Sequence, residues 1–434
     1  MSEVPDEVLL ARAAWSRLTE PGDPVAGALV GVLGPVEAWD LVRGSLGAAG
    51  AVGAAGSGGS VGRSGRAGAS GSSGVASRAS SAPDAMIRAM GSVLPTSARS
   101  AHRLATALER WGPRLAAVDA PREVHRHRAR GGHLVVPEDP RWPRGLDDLG
   151  VQAPHALWVC GDPSVLTASA RGAAVIGARA CTAYGEHVTA EVVAGVVGAG
   201  RVVVSGGAYG IDAAAHRAAL ASGGVTVAVL AGGVDRLYPA GNARLLRAAQ
   251  DSGALVSEVP PGGVPSRQRF LQRNRLIAAL SGATVVVEAA WRSGALSTAS
   301  RAAALLRPVG AVPGPVTSAA SAGCHRLLRD GAAVCVTDAP EVLELLAGAG
   351  PAPVPDTAVG RSATVADGLD PVARRVLDAL PVRAWADVAS VTRVAGVSAP
   401  EARGALGLLE LAGLADRDGD RWRRSASRSG APGG

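Results

Sequence analysis

The apolar positions of this chain follow two different periods, and the change between them comes near residue 130. Before that point Val8, Leu9, Ala13, Trp15 and Leu18 recur at roughly helical spacing, which predicts amphipathic helices. From about residue 172 onward, short runs of Val, Ile and Ala alternate with longer helical patterns and short links. This alternation predicts parallel strands buried on both faces and covered by helices.

Seven apolar runs predict the strands of that sheet, and they lie at 173–177, 201–205, 225–230, 254–257, 283–288, 309–312 and 333–336. Two shorter strands come earlier, at His133–Val136 and Leu157–Val159. We expect these two strands to form a lead-in that packs against the sheet domain. The predicted fold class is therefore α/β, with a doubly wound parallel sheet as its core.

Composition sets the predicted domain boundaries. Residues 44–82 are mostly Gly, Ser and Ala with scattered Arg, so we expect this segment to be disordered inside a small helical domain. Near the end of the chain, three helical patterns and a hairpin predict a winged helix, whose third helix starts at a capping box between Ser398 and Glu401. The predicted domains are a helical N-terminal domain at 1–125, the sheet core with its lead-in at 130–346, a linker at 347–368, a winged-helix domain at 369–424 and a disordered tail at 425–434.

Arginine carries the positive charge of this chain. Among its 434 residues no lysine occurs, and the formal net charge is +7, which leans toward a polyanionic partner. Without lysine, P-loops, Schiff-base chemistry and Ser–Lys dyads are excluded. Alanine and glycine are also abundant, so G- and C-rich codons explain the arginine bias equally well.

The cysteines and the hydropathy pattern predict a cytoplasmic protein. Cys160, Cys181, Cys324 and Cys335 are scattered and form no C-x-x-C pair, so we expect reduced thiols, no metal and no cofactor. The N-terminal segment is acidic and amphipathic, unlike a secretory leader. No run of about 18 apolar residues is free of glycine-rich breaks, so the sequence predicts no membrane span.

Two strand–glycine–helix junctions carry the candidate chemistry. The strand that ends at Ser205 is followed by Gly206 and Gly207, and a helix begins at Gly210. Upstream, another strand ends close to Arg179. Such junctions aim backbone N–H groups and the positive end of a helix dipole at one spot. They predict a phosphate-bearing ligand, either a nucleotide or a strand of nucleic acid.

Seven sequence blocks resemble the DNA-processing protein A family, known as DprA or Smf. The blocks are Val175–Arg179, Ser205–Gly207 with Gly210–His216, Ala228–Asp235 with Tyr238, Pro239 and Asn242, Ser257–Glu258, Phe270 with Arg273–Ser281, Val287–Ala289 with Ser293–Leu296, and Val312–Gly314. The resemblance is close over about residues 130–345. It implies a Rossmann-like core that binds single-stranded DNA and loads the RecA recombinase during natural transformation, with no catalysis. It also implies self-association, so we expect a homodimer.

The resemblance and the residue chemistry together predict the DNA-binding residues. A single strand needs a positive groove and a flat ring for stacking, and the sequence from Arg267 to Arg275 offers both. Phe270 is the single phenylalanine, and a core position is its alternative interpretation. The predicted site comprises Arg179, Ser205, Gly206, Gly207, Tyr209, Gly210, Arg267, Arg269, Phe270, Arg273, Asn274, Arg275, Ser293 and Gly294.

Some residues carry alternative interpretations. Arg273 and Arg275 could instead form surface ion pairs, and Asn274 could brace a loop or cap a helix. At Tyr209 the family usually has an arginine, so one phosphate contact is missing and base stacking is the substitute. His216 is expected to be a packed or capping histidine, because no carboxylate–His–nucleophile set surrounds it in the sequence.

Two other functions compete with single-strand binding. The first is a nucleotide phosphoribohydrolase, since Pro261, Gly262 and Gly263 begin that superfamily's motif. Val264 then breaks the motif, and no matching catalytic glutamate follows. The second is a winged-helix regulator of duplex DNA. The predicted third helix, from Ser398 to Leu411, carries Arg403 as its one basic residue, whereas reading helices carry several polar side chains. The sequence therefore favours a protein-contact role for that domain.

Overall fold

The computed structural model describes residues 4–56, 97–348, 369–382 and 384–425. The chain divides into two compact units, Met1–Pro351 and Ala352–Gly434. Nearly all of the predicted linker and tail lies outside the described residues. The first unit contains the helical N-terminal part together with the sheet, and the second contains the C-terminal helices and hairpin.

Among the described residues, five helices form the N-terminal part: α1 (Asp6–Leu18), α2 (Pro24–Leu33), α3 (Pro35–Gly56), α4 (Ser97–Leu115) and α5 (Ala120–Arg128). Trp15 is fully buried at their centre and meets Trp39 and Trp111 edge to face, with ring centroids 6.0 and 5.7 Å away. Asp23 caps α2 by accepting from the amides of its first turn and also accepts the indole N–H of Trp111. One carboxylate thus stabilises a helix end and ties α4 to it.

The segment expected to be disordered is partly helical. Helix α3 continues to Gly56, so the expectation of disorder was wrong from Gly44 to Gly56. The cause is the alanine content, because alanine has the highest helix propensity and the preceding turns of α3 are anchored by the buried Ala38 and Val42. The remainder of that segment, from residue 57, lies outside the described residues.

The core is a nine-stranded sheet, and seven of its strands are parallel. The strands are β1 (Gly132–Val135), β2 (Leu157–Gly161), β3 (Ala173–Ile176), β4 (Val203–Ser205), β5 (Thr226–Val229), β6 (Ala254–Ser257), β7 (Ala283–Val286), β8 (Val309–Ala311) and β9 (Val334–Cys335). Their order is β1-β2-β6-β5-β4-β3-β7-β8-β9. The lead-in strands β1 and β2 join this sheet in antiparallel fashion beside β6.

Strand residues alternate between two apolar layers, because successive side chains of a strand point to opposite faces. In β3, Ala174 and Ile176 belong to one buried cluster, whereas Ala173 and Val175 belong to another. The covering helices are α6 (Val165–Ala168), α7 (Ala183–Gly198), α8 (Ile211–Ala221), α9 (Ala243–Ser252), α10 (Arg267–Leu280), α11 (Gly294–Ala304), α12 (Ala322–Arg329) and α13 (Ala339–Ala347). Helices α10, α11 and α12 contribute to the first cluster, and α7, α8 and α13 to the second.

The strand order reverses next to β3. From β3 the chain adds β4, β5 and β6 on one side and then crosses to β7, which pairs with the other edge of β3. In open α/β sheets such a reversal leaves a crevice outside the carboxyl ends of the two strands, and ligands bind there. The topology therefore points to the loops that follow β3 and β7.

The C-terminal unit contains α14 (Pro371–Ala379), β10 (Ala386–Asp387), α15 (Val388–Ala395), α16 (Ala399–Leu411), β11 (Ala415–Asp418) and β12 (Arg421–Arg424). Its three strands pair in the order β10-β12-β11. The predicted capping box is confirmed, since Ser398 accepts from the amide of Glu401 and the Glu401 carboxylate accepts from the amide of Ser398. Trp422 of β12 is buried in the small core that the three helices share.

Candidate nucleic-acid interface

A cleft of about 1250 Å³ opens at the reversal point of the sheet. Its walls come from the loops after β3, β4, β5 and β7, from the first half of α10 and from the start of α11. These loops were separate motifs in the sequence, and the parallel strands bring them together because their carboxyl ends share one edge of the sheet. The cleft lies where the topology alone would place a ligand.

Phe270 forms the centre of one cleft wall. Ser266 caps α10 by accepting from the amide of Arg269, and Phe270 follows in the first turn of the helix. The Arg179 guanidinium carbon lies 5.1 Å from the centroid of the Phe270 ring, and that of Arg273 lies 5.9 Å from it. Tyr238 adds a second ring at 5.8 Å. The alternative of a core position for Phe270 does not hold, because its side chain is only partly buried and lines the cleft.

Arg273 is a buried cation at the base of this wall. Its side chain is 6 % exposed, Nη1 donates to the carbonyl of Val229 at 2.9 Å, and Nε has no partner among the described residues. Burial lowers the pKa of Arg273, while the nearby Asp212 carboxylate acts in the opposite direction. Glycine at position 206 leaves room for this group, because a Cβ there would overlap the guanidinium.

Four further arginines line the cleft at its surface. Arg179, Arg236, Arg267 and Arg292 are exposed, and none of them forms an ion pair with a described residue. Asp212 is the acidic residue in the lining, and burial raises its pKa although Arg273 and several backbone amides oppose that change. The cleft consequently combines unpaired positive charge at its rim with a buried cation below.

Two helices begin at the cleft. Gly210 precedes α8 with φ at +78°, and a Cβ there would collide with the carbonyl of Ala178, so a residue without a side chain is needed for the turn. Ser293 caps α11 by accepting from the amide of Ala295, and Gly294 follows it at the surface. Both N-termini contribute partial positive charge to the cleft.

Half of the predicted site residues are absent from the cleft lining, namely Ser205, Gly206, Gly207, Tyr209, Gly210, Arg269 and Arg275. Three of them have side chains that bond to partners elsewhere in the protein. Arg275 is fully buried and donates to both carboxylate oxygens of Glu258, at 2.7 and 2.6 Å. Arg269 turns to the other side of α10, where Nε and Nη2 each donate to Glu20 at 2.9 Å. Ser205 is also fully buried, and its hydroxyl donates to the carbonyl of Val175. Each side chain is committed to a partner inside the protein, so the prediction of direct contact was wrong for these three.

The remaining predicted residues have mixed positions. Tyr209 is 50 % exposed, whereas Gly207 is buried against Leu246. Asn274 braces the cleft, because its side-chain amide donates to the carbonyl of Gly294 at 3.3 Å and links α10 to the start of α11. This is the bracing role that the sequence left open.

The sequence expectation for one supporting residue is confirmed. His216 is fully buried with Nδ1 2.7 Å from the hydroxyl of Thr226, so it is a packed histidine. Burial lowers its pKa to about 4. Glu288 accepts from the amide and hydroxyl of Thr182 and thereby orients the loop that carries Arg179.

Sequence reasoning missed Arg236, Tyr238 and Arg292 as cleft residues. Each follows a parallel strand, either β5 or β7, at its carboxyl end. Position relative to the strand ends was the available signal. Within the described residues no cluster of side chains is suited to hold a metal ion, and no helix is long and apolar enough to cross a membrane.

Comparison with known proteins agrees with this arrangement. Residues 133–347 match the family model described as DNA recombination-mediator protein A. A DNA processing protein DprA of Mycobacterium tuberculosis is 49 % identical over 309 residues, which cover 68 % of this chain and 77 % of that protein. The DNA processing protein DprA of Streptococcus pneumoniae is 43 % identical over 170 residues, or 39 % of this chain and 60 % of that protein.

A solved structure is also similar. The X-ray structure of DNA processing protein A from Streptococcus pneumoniae matches with a TM-score of 0.51 and 33 % sequence identity, and it covers 60 % of this chain and 86 % of that chain. The matched family region contains every strand of the nine-stranded sheet except the first residue of β1, and all the walls of the cleft lie within it. The chain therefore belongs to the DNA recombination-mediator protein A family, the DprA proteins.

Proposed function

We propose that this protein binds single-stranded DNA in the cleft at the carboxyl edge of its sheet. The observation that carries the proposal is the cluster of Arg179, Phe270 and Arg273, in which the two guanidinium carbons lie 5.1 and 5.9 Å from the centroid of one ring. A single strand offers phosphates and open base faces, and it is bound by cations next to aromatic rings. Phe270 supplies a surface for a base, while the exposed Arg179 supplies charge for a phosphate.

The rim supports the same ligand. Arg236, Arg267 and Arg292 are exposed and free of ion pairs with described residues, so no protein carboxylate has to be displaced when phosphates arrive. Arginine can also stack and form forked hydrogen bonds, which suits a chain without lysine. Binding through these groups should be sequence-tolerant and sensitive to salt.

We further propose that the bound strand is passed to the RecA recombinase, in natural transformation or a related recombination pathway, and that the protein acts as a homodimer without catalysis. Membership of a recombination-mediator family supports this role. The phosphoribohydrolase alternative gains no support from the cleft, whose acidic residue Asp212 is 7 % exposed and held by backbone amides.

We also propose that the nine-stranded core is Rossmann-like and that the C-terminal unit is a winged helix with a protein-contact role. Beyond the first turn of α16, the exposed residues are Arg403, Gly404, Leu408, Glu410 and Leu411. Leu408 and Leu411 are 55 and 88 % exposed. A helix that reads the major groove carries polar and basic side chains in such positions, so duplex recognition by α16 is disfavoured.

Fluorescence anisotropy with labelled oligonucleotides tests the proposal. Wild-type protein is titrated into single-stranded and duplex DNA of equal length across a salt series. We expect preference for the single strand, with an affinity that falls as salt rises. No measurable single-strand binding at low salt, or a preference for duplex, would contradict the proposal.

A matched control is available at the opposite end of the sheet. Arg171 is exposed, precedes β3 at its amino end and lies outside the cleft lining. Arg179→Ala and Arg171→Ala remove the same charge, but only the first removes it from the cleft. Equal losses from the two variants would indicate general charge attraction in place of a defined site.

A further inference from the structure

One aromatic side chain near the cleft takes no part in the proposed DNA contact. The chain has eight tryptophans, all of them within the described residues, and Trp291 is the one with an exposed ring, 53 % of its surface being accessible. Trp15, Trp111, Trp142 and Trp158 are fully buried. Tryptophan is enriched at contact surfaces, because its indole combines a large apolar face with a polar N–H group.

The position of Trp291 connects it to the cleft. It lies in the loop after β7, between Ala290 and Arg292, and both of these neighbours line the cleft. Trp291 itself is absent from the lining, so its ring stands just outside the cleft. The ring therefore lies next to a cationic residue of the cleft rim, Arg292.

An arginine side chain also packs against the Trp291 ring. The Arg326 guanidinium carbon of α12 lies 5.1 Å from the centroid of the Trp291 ring, a distance typical of a cation–π contact. Arg326 forms no ion pair with a described residue. The arrangement repeats that of Phe270 and Arg179, in which an arginine lies over one ring at the same distance.

From these observations we propose that Trp291 and Arg326 form a second base-binding site, which takes an unpaired nucleobase of a strand whose neighbouring nucleotides occupy the cleft. The inference rests on the proposed single-strand function and extends the DNA-binding surface beyond the cleft. An indole face accepts any base, so this site adds affinity without sequence preference. The positive charge of Arg292 and Arg326 favours a nucleic acid over an uncharged apolar partner.

Oligonucleotide length separates this site from the cleft. Oligothymidylates of about 4 and about 16 nucleotides span the range of single-strand site sizes, and the shorter one is expected to occupy the cleft alone. We expect Trp291→Ala to weaken binding of the longer oligonucleotide roughly tenfold, within the range that stacking on one base provides. Binding of the shorter one should stay unchanged, and Trp291→Phe should recover most of the loss.

Intrinsic fluorescence supplies an independent readout. Because Trp291 carries the exposed indole, stacking of a base on it should quench tryptophan emission when the longer oligonucleotide binds. The quench should be absent in Trp291→Phe, although that variant still binds. Quenching that persists in Trp291→Phe would contradict the inference.

The binding outcomes separate the inference from the function on which it rests. If wild-type protein binds neither oligonucleotide, the proposed function fails and the inference with it. If it binds both and Trp291→Ala binds the longer one equally well, the inference alone is overturned. Equal losses for both lengths would overturn it too, because the ring would then act within the cleft. A changed oligomeric state with unchanged DNA affinity would assign Trp291 to a protein contact instead.

Discussion

The two sides of helix α10 use the same residue type for opposite purposes. On the cleft side, Arg267 is exposed without an ion pair among the described residues, and Arg273 lies below Phe270. On the other side, Arg269 and Arg275 are neutralised by Glu20 and Glu258. Helix α10 therefore has a binding surface on one side and two ion pairs that stabilise the fold on the other.

The two sides of α10 carry the same cationic residue type and differ in whether a carboxylate pairs with it. Glu20 comes from the loop between α1 and α2, and Glu258 follows β6, so both reach α10 from distant parts of the chain. The same loop approaches Arg275 closely, since the amide of Gly22 donates to Glu258. Carboxylate and phosphate use the same guanidinium donors, so an arginine already paired with a carboxylate is less available to an external phosphate.

The largest effect is expected from breaking the buried ion pair between Arg275 and Glu258. Arg275→Met should lower the free energy of unfolding by about 3–5 kcal/mol, because it leaves Glu258 buried without its partner. Urea denaturation of the full chain measures this loss. The protein that remains folded should bind single-stranded DNA with wild-type affinity. A stable variant that has lost DNA binding would reverse the assignment of the two sides.

Phe270→Ala tests the cleft side with the next largest effect. Loss of a stacking surface should weaken single-strand binding by about 1–3 kcal/mol. The partly buried ring contributes less to folding than a core side chain, so the urea midpoint should move little. Phe270→Trp, which keeps a stacking face, should retain binding. Weak binding in both variants would indicate that the shape of the wall matters more than stacking.

Arg179→Ala tests the electrostatic contribution of the cleft to DNA binding. Removing one phosphate contact should reduce affinity roughly tenfold at low salt and make the slope of log affinity against log salt shallower by about 0.7. An anisotropy titration at several salt concentrations gives both quantities. An unchanged slope would mean that Arg179 stacks on Phe270 without meeting a phosphate.

The smallest effect is expected from breaking the partly exposed ion pair between Arg269 and Glu20. Arg269→Ala should reduce stability by about 0.2–1 kcal/mol and leave DNA affinity unchanged. Burial by itself would raise the pKa of Glu20, but Arg269 and Arg114 outweigh it, and the pKa lies below its ordinary value of 4.5. The stabilisation by Glu20 is therefore present above about pH 4.5 and is lost as the pH falls through the lower, folded-state value.

Denaturation of wild type and Glu20→Gln between pH 3 and pH 7 checks this sign. Wild-type stability should decline more steeply than that of the variant below about pH 4.5, and the two curves should run parallel above it. A difference confined to the range above pH 6 would contradict the role of this carboxylate.

The sequence predicted the fold well because its signals are local. Strand runs such as 254–257 and the capping box at Ser398 depend on neighbouring residues, and both are observed. The lead-in strands were predicted as well, but not that β1 and β2 extend the sheet. Strand pairing depends on distant residues, which periodicity does not contain.

The site was predicted less completely, for a physical reason. Arg273 and Arg275 are two residues apart in the sequence, yet one meets Phe270 and the other meets Glu258. Helical rotation explains why they point to different sides, but not which side holds an acid. Trp291 gave no motif at all, because its significance lies in its exposure and in the neighbouring Arg326.

Paired titrations of Arg179→Ala and Arg171→Ala with labelled single-stranded DNA decide whether the strand binds in the cleft. We expect Arg179→Ala to have lower affinity and a shallower salt dependence, while Arg171→Ala, at the opposite end of the sheet, behaves like the wild type. Equal affinities for the wild type and both variants would contradict the proposed site, because the strand would then bind outside the cleft.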